Sequence, residues 1–207
     1  MGYAQSVDSM QFYGLEFKYQ TADFRQFNEQ AAALSYPGLE ENVVEFGFNH
    51  QARQGRWLYH SGIFAGLAAE ENGSLNADFT EYLHLGAALE LSWSAIRSDN
   101  WFVGPMLASY FQWSRLVLRP QNQVNTLGAA LGVEYQKFTR FNVPVAVGLN
   151  AQYYIHTKAA TSIMLGVQAG YRLDDEEGWR VDGAVPWENS GLSAQGWFVA
   201  FRIGRSL

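Results

Sequence analysis

The 207-residue chain contains no cysteine, which excludes a disulfide scaffold and any cysteine-ligated metal site. Charge is scarce: Asp, Glu, Lys and Arg make up 16% of the residues, against about 25% in an average soluble domain. No run of 18 apolar residues occurs, so no transmembrane helix is available. HExxH, GxSxG and a phosphate-binding glycine loop are all missing, which removes the commonest hydrolase and nucleotide-binding signatures. The net charge of −6 argues against nucleic acid as a partner. Rings, by contrast, are plentiful. Fourteen Phe, 11 Tyr and 7 Trp exclude a disordered acidic chain, which would lack them.

The dominant pattern is period-two alternation, the signature of a strand with two unlike faces. Tyr13, Leu15, Phe17 and Tyr19 alternate with Gly14, Glu16 and Lys18. Val44, Phe46 and Phe48 alternate with Glu45, Gly47 and Asn49. Further segments begin at Trp57, Leu83, Trp101, Leu127, Val145, Ile163 and Trp197, making nine in all. A weaker tenth spans Trp179 to Trp187, interrupted by Gly183 and Pro186. Most of these segments are longer than the usual soluble strand of about five or six residues. One face is continuously apolar. The other mixes glycine with isolated Glu, Gln, Asn, His, Tyr and Arg, too sparse for a face in bulk water. Rings collect at segment ends, as at Tyr19, Trp57, Trp93, Trp101, Trp113, Tyr153, Tyr171 and Trp197.

From about Gln11 to Ile203, this pattern resembles the small bacterial outer-membrane β-barrels. The resemblance implies an all-β, closed, antiparallel up-and-down transmembrane barrel in the bacterial outer membrane, in contact with its lipids. Ten strands are expected, with eight as the alternative, because single-chain bacterial barrels have even strand numbers. Short links are expected near Gln51–Arg56, Arg97–Asn100, Thr139–Asn142 and Asp174–Gly178. Thr21–Glu41, Glu70–Asp78, Arg119–Asn125, Thr157–Thr161 and Glu188–Leu192 are expected at the opposite end. The last strand departs from the usual aromatic ending: Arg205 breaks the alternation and Leu207 closes the chain, with Arg205 placed to snorkel at the membrane edge. Residues 1–8 read as a flexible tail or the remnant of a signal peptide, and 9–207 as one barrel domain.

A barrel of eight to ten strands is narrow enough for side chains to fill. Parity places Glu16, Lys18, Glu45, Glu90, Glu134, Arg172 and Arg202 inside, where opposite charges should pair, together with His60 and His84. Two histidines do not make a metal site, and none is expected; nor is any cofactor. In the long 21–41 loop, Phe24, Phe27 and Leu34 recur at helical spacing after Asp23, a candidate cap, so a short helix there would serve as a lid or docking surface. Outward positions Ser61, Ala65, Ala69 and Ser109 are less lipophilic than the rest and suit a protein contact. His60 and Ser61 are adjacent, so they point to opposite faces and cannot form a hydrolytic pair. The expected function is a non-enzymatic barrel with a plugged lumen, acting as a structural or interaction subunit among other envelope proteins. A small channel or amphiphile-binding barrel is the alternative, and a lipid-modifying enzyme or protease is less favoured.

Overall fold

The computed structural model describes residues 9–34, 36–68, 79–119, 136–157, 161–174, 178–181, 185–186 and 190–206. In chain order the elements are β1 (Ser9–Thr21), α1 (Arg25–Ala33), β2 (Asn42–Gln54), β3 (Trp57–Ala68), β4 (Phe79–Trp93), β5 (Ile96–Arg97) and β6 (Trp101–Arg119). They continue with β7 (Gln136–Asn142), β8 (Val145–His156), β9 (Ser162–Leu173), β10 (Arg180–Val181), β11 (Val185–Pro186) and β12 (Gly196–Ser206).

The wall is an antiparallel barrel of eight strands, not ten. Antiparallel pairing runs from β1 through β2, β3, β4 and β6 to β7 and β8, then through β9 and β12 back to β1. The ring of pairings closes on itself, as a membrane wall requires. β7 and β8 are two halves of one strand. Gln112 pairs with Asn142 and Ser109 with Val145, a single register along β6. Between them stands Pro144, whose carbonyl still accepts from the Tyr110 N–H at 2.9 Å. Proline has no N–H to give, so the strand is interrupted there.

This explains the two expected strands that the barrel lacks. Thr139–Asn142, expected as a turn, belongs to β7, and the Leu127–Tyr135 segment lies outside the described residues. The tenth candidate, Trp179–Trp187, supplies only β10 and β11, a two-residue pairing that continues the wall beside β7 where β9 has ended. Thr157–Thr161 also moves to the other end: it joins β8 to β9 at the end that carries the β2–β3 turn, where His156 Nε2 lies 3.2 Å from the Asp99 carbonyl oxygen, and Asp174 moves to the end with the long connections. The barrel thus has a turn end, with both chain ends and the links after β2, β4 and β8. Its loop end carries α1 and the connections after β3, β6 and β9.

Side-chain parity sorts the residues into two environments. On β9 the outward set is Ile163, Leu165, Val167, Ala169, Tyr171 and Leu173; the inward set is Ser162, Met164, Gly166, Gln168, Gly170 and Arg172. Phe46, Phe48, Ile63 and Leu149 are each at least 60% exposed, whereas Gln51, His84, Asn150 and Gln152 are fully buried. Polarity is therefore inverted relative to a soluble barrel. Trp57 faces Trp93 and Trp101 stacks on Tyr153 at 4.7 Å near the turn end, while Tyr171 and Trp197 meet at 5.1 Å near the loop end.

The seam between β1 and β12 is closed by two glycines, Gly14 opposite Gly204. A Cβ on Gly14 would overlap the Ile203 carbonyl oxygen and come within 2.8 Å of the Gly204 Cα. Gly14→Val is therefore expected to destabilise the barrel by about 3 kcal/mol or more. The check is unheated SDS electrophoresis, where the variant should lose the compact, fast-migrating band; a band as heat-resistant as the wild type's would refute the close approach.

Candidate functional site: the barrel interior

The inward residues form three tiers. The floor, at the turn end, is apolar: Met10, Phe12, Leu58, Phe102, Tyr154 and Met164 pack together. Arg53 borders it, with its guanidinium 5.3 Å from the Tyr154 ring centroid and one N–H donated to the Ser98 carbonyl at 3.0 Å.

The middle tier is ionic. Glu45 accepts from Lys18 Nζ at 2.7 Å and from Arg172 Nη1 at 2.9 Å. His84 Nε2 lies 3.1 Å from the same carboxylate. Arg172 also donates to Gln20 and Gln112. Glu90 accepts from Arg202 Nη2 at 2.9 Å, Ser92 at 3.1 Å, Asn150 at 3.2 Å and Gln168 at 2.5 Å. Arg202 also pairs with Glu16. Lys18 Nζ is 3.7 Å from Glu16, so one chain of charges links the Glu45 and Glu90 groups. His60 stands between Glu16 and Glu90, its two nitrogens 3.7 and 3.6 Å from them, beyond hydrogen-bond distance. Rings complete the tier: Lys18 Nζ lies 4.5 Å from the Tyr110 centroid, 5.4 Å from Phe64 and 5.7 Å from Phe198. The interior glycines make room for them. A Cβ on Gly86 would meet the Phe64 ring at 2.7 Å, and one on Gly170 the Phe198 ring at 2.8 Å.

The upper tier is apolar again and includes the helix. Phe24, Phe27 and Ala31 pack with Leu39, Val43, Tyr82, Leu116, Phe138, Trp179 and Leu192. Phe24 and Tyr82 rings are 5.3 Å apart. The lid is pinned by polar clasps: the Asn28 side chain donates to the Leu39 carbonyl at 2.9 Å and accepts from its N–H at 2.8 Å, and Thr80 donates to the Pro37 carbonyl at 2.8 Å. A buried ion pair, Arg140 with Asp174 at 2.7 Å, ties β7 to the segment after β9; Asn142 and the Ala194 N–H donate to the same carboxylate. The helix starts at Arg25 with Phe24 in the cap position and no side-chain cap. Asp23 instead receives the Arg25 guanidinium at 2.8 Å, and that hydrogen bond holds its carboxyl below the usual range.

The structure thus brings Glu16, Lys18, Glu45, His60, His84, Glu90, Arg172 and Arg202 into one network. Glu134 and Ala69 lie outside the described residues. Phe24 and Phe27 point into the mouth, while Leu34 is 68% exposed. Ser61, Ala65 and Ser109 face outward on β3 and β6. Alternation puts Gln112, Asn150 and Gln168 on the inner face but gives no sign that they and Gln20 hydrogen-bond to Arg172 and Glu90. Among the described residues, no three His, Asp or Glu side chains are grouped to hold a metal ion.

An apolar outer belt around a charged interior defines a transmembrane β-barrel. No protein-family model and no curated protein matches the sequence. Among solved structures, the chain is similar to Ail, the attachment invasion locus protein of Yersinia pestis. Identity is 8%, the match covers 96% of this chain and 97% of that one, and the TM-score is 0.48. It is also similar to a major outer membrane protein from Thermus thermophilus, at 9% identity over 95% of this chain and 98% of that one, with a TM-score of 0.49.

Removing Glu45 would leave Lys18 and Arg172 buried without their shared anion. Glu45→Ala is expected to cost about 3–5 kcal/mol, read as a lowered urea midpoint in lipid vesicles. Adding Lys18→Met should restore part of that loss, because the two side chains are coupled. Phe27→Ala should lower stability by about 3–5 kcal/mol through the cavity left under the lid; unchanged midpoints would mean these groups are solvated rather than packed.

Proposed function

We propose that the chain is an integral barrel of a bacterial outer membrane, with a plugged lumen, acting as a structural or interaction subunit in a larger envelope assembly. The observation that carries this reading is the three-tier interior. A conducting pore needs a continuous hydrated path, and here charged groups are consumed by one another between two apolar layers. The lid has the same implication: α1 places Phe24 and Phe27 in the mouth and turns Arg25 and Glu29 outward. Recognition then falls to the loop end, where the long connections are. No catalytic role is proposed. A narrow channel is the second reading, favoured only by the continuous run of polar side chains through the middle tier.

The test is planar-bilayer recording of the refolded protein, with insertion verified independently by protease protection of the strands. Silence through repeated verified insertions is expected; reproducible unitary conductance steps would overturn the plug and support the channel. The subunit role is tested by native mass in mild detergent after extraction from the source membrane, where an assembly larger than the 23.3 kDa chain is expected.

A further inference from the structure

The outer wall is not uniformly apolar. Arg205, Tyr13, His50 and Ser61 stand side by side on β12, β1, β2 and β3. All four face outward; Arg205 is exposed, and the Tyr13 ring lies 4.8 Å from the His50 ring. His50 Nε2 is buried and has no hydrogen-bond partner. Hydrocarbon is a poor environment for a guanidinium and an imidazole. Their depth resolves the difficulty: Tyr59 and Trp57 follow Ser61 toward the turn end, so the row sits where hydrocarbon gives way to headgroups. Arg56, in the β2–β3 turn at this end, adds a second exposed cation near the rim, 5.5 Å from the Trp93 ring.

Two residues along each strand toward the loop end, the wall turns apolar. Ile203, Leu15, Phe48 and Ile63 form the next row, followed by Phe201, Phe17, Phe46 and Ala65. These two rows line a groove of about 750 Å³. It crosses four strands, three spacings or about 14 Å, and the strand tilt carries it obliquely up the membrane.

We propose that this face holds one anionic glycerophospholipid of the leaflet at the turn end. Its phosphate lies against Arg205, with the Tyr13 hydroxyl as a further donor and the His50 imidazole packed beside the Tyr13 ring, and one acyl chain occupies the groove. Charge selects the headgroup, because Arg205 is the row's fixed charge and the row holds no carboxylate. Continuity selects an amphiphile, because the apolar groove begins one row above the charge. A second copy of this chain presenting the same face would bring another Arg205 and no anion. The inference rests on the chain spanning a bilayer, as proposed above.

The experiment is native mass spectrometry of the folded protein from non-ionic detergent, titrated with phosphatidylglycerol or with phosphatidylcholine of the same chains. One phosphatidylglycerol should be retained roughly tenfold more tightly than phosphatidylcholine. Arg205→Gln combined with His50→Gln should erase that preference, and Arg205→Lys should keep most of it. Ala65→Phe, which fills the groove, should weaken both lipids, while Leu149→Ala on β8 should change neither. Equal retention of the two lipids, indifference to Arg205→Gln and His50→Gln, or a chain dimer that survives delipidation would each overturn the proposal. If the glutamine variants do not fold, the wild-type lipid preference and Ala65→Phe decide the matter. A wild-type chain that never yields the heat-shifted band in detergent or vesicles would instead sink the spanning reading itself.

Discussion

Glu16, Glu45 and Glu90 are tolerated inside this barrel because Lys18, Arg172 and Arg202 are buried with them. An unpaired ion in such a space would cost several kcal/mol, and the mutual attraction offsets this only when the remaining hydrogen-bonding positions are filled. Gln20, Gln112, Asn150 and Gln168 fill several of them, although Arg172 Nε stays buried without a partner. The rest of the molecule follows from that arrangement. Because the charges occupy the centre, the hydrophobic surface must face outward, and an outward apolar surface is stable only in lipid. Because the ions must meet across a narrow space, glycines stand opposite the rings that surround them.

The apolar floor and the apolar cap have an electrostatic consequence as well as a packing one. Apolar side chains packed above and below a charged tier lower the local dielectric, which strengthens each ion pair and raises the penalty for breaking one. The lid and the network therefore support each other. Arg140 with Asp174 repeats the device at the mouth, fastening the segment that leads from β9 towards Leu192, a member of the cap.

Much of this was legible in the chain. Strict alternation identified which residues of β1, β2, β4, β9 and β12 point inward, since parity alone decides a strand's faces. The partners within the network were not legible. Glu45 and Arg172 are 127 residues apart and Glu90 and Arg202 are 112 apart, and which pair meets depends on register and tilt around the whole circumference. Strand number failed for a local reason. Pro144 and Asn142 carry turn chemistry, yet they interrupt a single strand whose register does not change across the break. The helix was legible as a helix from Phe24, Phe27 and Leu34. That two of those three enter the lumen depends on Tyr82, Leu116, Phe138 and Trp179, which the local pattern does not reveal.

The seam has an implication for biogenesis. Glu16 lies directly opposite Arg202, one on the first strand and the other on the last, so their ion pair exists only when the two ends of the chain have been brought together. A nascent or truncated barrel lacking β12 would expose Glu16 and Glu90 without their shared guanidinium, in a sheet still open at its edge. Completion of the chain and neutralisation of its interior are thus one event. The Glu16–Arg202 pair therefore belongs only to a barrel whose first and last strands have met.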